Sequence, residues 1–140
     1  NGKLIGLQGR ALSYNPIKYL TIMLEEDAPK IYGLDNINKE LPVYVVEGPF
    51  DSTFLNNSVA LCGSDGEVGD LERDILVFVY DNEPRNKEIV RRIGDCIERG
   101  ERVVIWPSGI REKDINDMVL AGHNVKSLVE SNTYQGLEAT

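Results

Sequence analysis

Val43-Tyr44-Val45-Val46-Glu47-Gly48-Pro49-Phe50-Asp51 is the stretch whose reading decides the fold, and Ile75-Leu76-Val77-Phe78-Val79-Tyr80-Asp81-Asn82-Glu83 follows the same logic. Each opens on an uninterrupted apolar, largely β-branched run, the pattern of a strand buried on both faces, and each run breaks directly into carboxylates. Val59-Ala60-Leu61-Cys62 and Arg102-Val103-Val104-Ile105-Trp106 have the same continuous character. Helical patterns lie between them. Ile89, Val90, Ile93, Cys96 and Ile97 recur at helical spacing over 86–99, with Asn86 placed as N-cap and Gly100 as a stop. Shorter helices are predicted over 51–56 after Pro49, over 114–120 between Asp114 and Gly122, and over 125–131. Strands alternating with helices predict an α/β fold, a mostly parallel four-stranded sheet flanked by helices, because parallel strands require crossover connections.

The first 35 residues follow a different pattern. Residues 4–12 and 19–24 are two strand-like runs joined through a polar turn at Asn15-Pro16, which predicts a short antiparallel β prefix.

The chain's 140 residues, 41% hydrophobic, suffice for one core. Two cysteines, Cys62 and Cys96, and one histidine, His123, supply neither a disulfide framework nor a zinc site, and point to a reducing cytoplasm. No apolar run approaches a membrane span. Fifteen Lys and Arg against 23 Asp and Glu give a formal charge of −8, which argues against general affinity for nucleic acid. The charge is uneven, however: residues 1–33 are net +1 through Lys3, Arg10, Lys18 and Lys30, so any basic surface lies near the start. The first residue is Asn1, and the chain is read as a piece of something longer.

In an open parallel sheet, ligands bind beyond the carboxyl ends of the strands. Glu47, Asp81 and Glu83 stand there, and the segment after the fourth strand delivers Asp114 and Asp117 to the same rim. Clustered carboxylates repel one another unless a cation joins them, and oxygen ligands suit Mg²⁺ or Mn²⁺, the ions of phosphoryl chemistry. If the segment after Tyr80 is extended, Asp81 and Glu83 share a side. Asp51 and Asp114 equally fit helix N-caps. Cys62 and Cys96 fall on apolar patterns as small core residues, His123 suits a surface helix end, and Trp106 and the tyrosines suit packing. Gly63, Gly66 and Gly69 match neither a Walker loop nor a dinucleotide fingerprint.

The strand ending in Glu47-Gly48 and the strand ending in Asp81-Asn82-Glu83 together resemble the TOPRIM domain of topoisomerases and bacterial-type primases. Glu83 departs from the usual Asp and lengthens that arm. Gly9-Arg10-Ala11-Leu12, Lys18-Tyr19-Leu20 and Ile31-Tyr32-Gly33-Leu34 resemble the stretch before TOPRIM in primases. The helicase-associated primases of large tailed phages are the nearest resemblance, also through Asp81-Asn82-Glu83-Pro84-Arg85, Lys113-Asp114-Ile115-Asn116-Asp117-Met118 and Gln135-Gly136-Leu137. The resemblance implies a prefix over 1–35, a TOPRIM catalytic domain over 36–140, and a zinc-binding domain outside this piece. It implies Glu47, Asp81 and Glu83 as ligands of Mg²⁺ or Mn²⁺, two ions or more and no zinc. Asp51 and Asp114 then support the metal or the triphosphate, with Asp117 or Asn116 at the last acidic position. Arg10, Lys18 and Lys30 match positions that contact nucleic-acid or nucleotide phosphates. The implied activity is template-directed synthesis of short RNA primers, with single-stranded DNA, ribonucleoside triphosphates, RNA primer and a replicative helicase as partners at a cytoplasmic replication fork. A TOPRIM-type nuclease and a non-catalytic replisome module are the alternatives.

Overall fold

The computed structural model describes residues 2–63 and 67–136, so Ser64, Asp65, Gly66 and Leu137 lie outside the described residues. At the start of the chain β1 (Gly6–Arg10) and β2 (Tyr19–Met23) pair antiparallel, Leu7 opposite Ile22, as a separate two-stranded sheet. The apolar runs then form β3 (Val43–Val46), β4 (Ser58–Ala60), β5 (Leu76–Phe78) and β6 (Arg102–Val104), all parallel. The expected four-stranded sheet has a fifth member: β7 (Thr133–Gln135) runs antiparallel to β6 and completes the order β4-β3-β5-β6-β7.

Alternation along each run explains why continuous apolarity is needed. Val43, Val45, Leu76, Phe78 and Val103 face one way, against Ile89 and Cys96 of α2 (Lys87–Glu98). Val46, Val77, Val79 and Val104 face the other, against α3 (Ile115–Leu120) and α4 (Val125–Ser131). The crossover from β3 to β4 contains α1 (Pro49–Ser52), and that from β5 to β6 contains α2. These crossovers lead to opposite sides of the sheet although β3 and β5 are neighbours, so a crevice opens between their carboxyl ends.

Local signals set the helix boundaries. Asn86 caps α2 by accepting from the backbone N–H groups of Glu88 (3.0 Å) and Ile89 (3.4 Å), and Gly100 leaves the helix at φ +70°. Asn86→Ala is expected to cost about 1 kcal/mol in a urea titration; an unchanged midpoint would remove the cap as a source of stability. The helix expected over 51–56 starts earlier and is shorter: Gly48 is the N-cap and Pro49 takes the first helical position, where its missing N–H is harmless. Asp51 therefore lies inside α1 and does not cap it. No helix among the described residues is long and apolar enough to cross a membrane.

Candidate active site

Glu47 follows β3 directly, on the side that Val43 and Val45 share with α2, and Arg92 of that helix lies 3.8 Å from its carboxylate. Burial pushes the Glu47 pKa up; Arg92 counters this, while Glu83 and Asp51 reinforce it. Asp81 continues the Val77 and Val79 side, and its pKa is pushed up to about 7, first by burial and then by Glu47, Asp51 and Asp114. Asp51 is raised too, again mainly by burial, even though its Oδ1 accepts the Asn116 N–H at 3.0 Å. Glu47, Asp51, Asp81 and Asp114 line one cleft of about 470 Å³, with Gln8, Lys18 and Lys113 also on its walls.

Three chain segments converge here because polar bonds tie their ends together. Asn82 donates from its backbone N–H to the Lys113 carbonyl (2.6 Å) and from Nδ2 to the carbonyls of Ile110 (2.9 Å) and Glu112 (3.0 Å). Trp106 Nε1 donates to the Tyr80 carbonyl at 2.8 Å, joining the ends of the β5 and β6 runs. Asp114 is the N-cap of α3, accepting from the Asp117 N–H at 2.8 Å, while Asp51 reaches across from α1 to the same helix start. Capping and cleft-lining thus coexist at Asp114.

Glu83 is placed differently from the extended reading. The chain turns after Asp81, with the Glu83 N–H donating to the Asp81 carbonyl at 2.9 Å. The Glu83 carboxylate meets Lys113 Nζ at 3.3 Å and Asn86 Nδ2 at 3.1 Å, and does not line the cleft. Among the basic candidates Lys18 lines the cleft, and Arg10 lies beside it over the rings of Phe50 and Tyr19. Lys30 is elsewhere, on a surface shared with Glu26, Asp27 and Asp70. Cys96 is fully buried as expected, whereas Cys62 is only half-buried, has φ +47° and lines the cleft. His123 ends up beside Glu112 at 3.0 Å. Sequence reasoning missed Lys113, Arg92 and Asn82; the direct adjacency of Lys113 to Asp114 was the one available signal.

The cleft's acidic donors are all oxygens, and their mutual repulsion is what a hard divalent cation would relieve. Among the described residues no three His, Cys, Asp or Glu side chains are already arranged around one ion, so side-chain adjustment would accompany binding.

No family model matches the chain. The DNA primase of Enterobacteria phage T4 is 40% identical to it over 149 aligned positions, which cover 99% of this chain. The chain is a relative of a phage DNA primase. It spans only 42% of that primase's length. Its fold is similar to that of the RNA polymerase domain of Mycobacterium tuberculosis primase DnaG, crystallised with double-stranded DNA, at a TM-score of 0.64. That match covers 89% of this chain and 48% of the other at 20% identity, so the likeness to the DnaG domain is one of fold.

Proposed function

We propose that this chain is the catalytic core of a DNA primase, joining ribonucleotides on single-stranded DNA at a TOPRIM-type site. The observation that carries the proposal is the convergence of Glu47, Asp51, Asp81 and Asp114 from three separate segments on the crevice between β3 and β5. Glu47, Asp81 and Glu83 are the proposed ligands of Mg²⁺ or Mn²⁺, with Glu83 leaving its bond to Lys113 to take part. Bound ions would supply Lewis acidity toward a 3′-hydroxyl and a triphosphate. Asp51 and Asp114 hold the start of α3 against the cleft. Lys18 from the hairpin and Lys113 from the loop before α3 both line the cleft and offer cations to phosphate oxygens. Template, ribonucleoside triphosphates and RNA primer are the ligands of this reading, and a replicative helicase its protein partner.

The test combines Mn²⁺ binding, read by electron paramagnetic resonance, with synthesis of labelled oligoribonucleotides on a single-stranded template. Wild type should bind Mn²⁺ and yield oligoribonucleotides; Asp81→Ala should do neither while keeping its circular dichroism spectrum. DNA cleavage in place of synthesis would establish the nuclease alternative. Absence of both Mn²⁺ binding and synthesis would leave the non-catalytic replisome module, and wild-type rates in Asp81→Ala would overturn the metal assignment.

A further inference from the structure

We propose that Tyr19, Phe50 and Arg10 form a stacking platform for unpaired bases of single-stranded DNA on their way into the carboxylate cleft. The inference rests on the primase reading and adds a binding site to it. Beside the cleft runs a groove of about 690 Å³, and Gln8, Tyr19 and Pro49 line both spaces, so the two adjoin.

Three aromatic rings border the groove without being packed away: Tyr19 is 42% exposed, Phe50 51% and Tyr32 53%. Single exposed rings need no explanation, but three on one groove form a surface for a flat apolar ligand. The Arg10 guanidinium, itself planar and delocalised, lies 4.9 Å from the Phe50 ring centre and 5.6 Å from that of Tyr19. A planar cation seated on these rings occupies the kind of position a nucleobase takes when it stacks.

Charge separates a nucleic-acid occupant from an apolar peptide. Among the described residues, neither Arg10 nor Lys18 is paired with a carboxylate. Arg10 in the groove and Lys18 in the adjoining cleft, each beside the Tyr19 ring, set two cations next to aromatic faces as alternating bases and phosphates require, against the carboxylate of Asp35 on the groove wall, whereas an apolar peptide would leave those cations without a partner. Double-stranded DNA is a poorer occupant, because its bases already stack on each other. Geometry also places the rings usefully: Phe50 adjoins Asp51 in α1, and Tyr19, the first residue of β2, adjoins Lys18. A base held there puts its flanking phosphates near Lys18 and the cleft mouth.

The test measures binding of a short labelled oligodeoxynucleotide by fluorescence anisotropy against an abasic strand of the same length. Wild type should favour the strand with bases about tenfold, the effect expected of aromatic stacking. Tyr19→Leu combined with Phe50→Leu should abolish that preference while leaving affinity for the abasic strand unchanged, which also reports an intact fold. Arg10→Ala should weaken both strands. Equal binding of the two strands by wild type, or a preference that survives the double leucine variant, would overturn the platform. Binding of Mn²⁺ with a ribonucleoside triphosphate, measured on the same preparations, keeps the two readings apart: its presence without base preference removes stacking alone, and its absence removes the primase reading.

Discussion

Asp81→Asn is expected to unfold at a higher temperature than wild type at pH 8, and at the same temperature at pH 4 or below. The folded protein holds the Asp81 pKa at about 7 against an ordinary value of 3.8, chiefly through burial and then through Glu47, Asp51 and Asp114. With the folded value raised, the folded state binds more protons than the unfolded state between these limits. The stability linked to this group is complete below pH 3.8 and is lost as pH rises through 7, where the buried carboxyl must ionise. The amide avoids that ionisation. After discounting for the cleft's partial exposure to water, the gain at pH 8 is on the order of 1–2 kcal/mol. The same substitution removes a proposed metal ligand, so primer synthesis should fall by at least about a hundredfold, the scale of losing several kcal/mol of electrostatic stabilisation. Adding Mg²⁺ should recover part of wild type's stability at pH 8 and do little for Asp81→Asn. Thermal melts across pH with and without Mg²⁺ check all of this; parallel curves for the two proteins would contradict the strained cleft.

A second large effect is expected far from the cleft, when Arg73 and Arg99 are both replaced by alanine. Glu101, 6% exposed, accepts from both through one oxygen, and its Oε2 has no hydrogen-bond partner. Removing both arginines leaves a carboxylate in the interior with nothing to offset its lost hydration, a loss of about 3–5 kcal/mol. Each arginine is roughly half exposed and can rehydrate, so Glu101→Gln should cost distinctly less. Urea titrations of the two variants test the asymmetry. If the acid's replacement proves the more damaging, the buried group is stabilised by something other than these two cations.

Most of the sheet was legible because parallel strands must bury both faces, and the runs at Val43, Val59, Ile75 and, after its opening Arg102, Val103 are continuously apolar. The helix at 87–98 was equally legible, through its spacing and its Asn86 cap. β7 was not, because Thr133-Tyr134-Gln135 carries no apolar run; it is a strand through its pairing with Val104, Val103 and Arg102. The acidic rim could be read from strand ends, since Glu47 and Asp81 follow their runs directly. Glu83 could not, because a period of two holds only in extended chain and the backbone turns after Asp81. Lys113 and Arg92 enter through tertiary placement: one rides on a loop fastened by Asn82, the other on a helix whose polar face gives no sign of which strand end it reaches.

Tyr32 and Ala60 exchange both backbone hydrogen bonds, at 2.8 and 3.0 Å, an isolated bridge between the hairpin's exit and the edge strand β4. Gly33 beside it has φ +93°, and a Cβ there would come within 3.1 Å of the Ser58 carbonyl, so the chain is pinned closely to the sheet at this point. In mechanical terms the bridge is a pivot and the hairpin an arm swung from it. The aperture between Lys18 on the arm and Asp81 on the base then depends on the length of chain from 24 to 31, whereas the tip from 12 to 16 lines neither the cleft nor the groove beside it. Lengthening the tip leaves the jaw's opening as it is; adding a single residue next to the pivot changes its gauge.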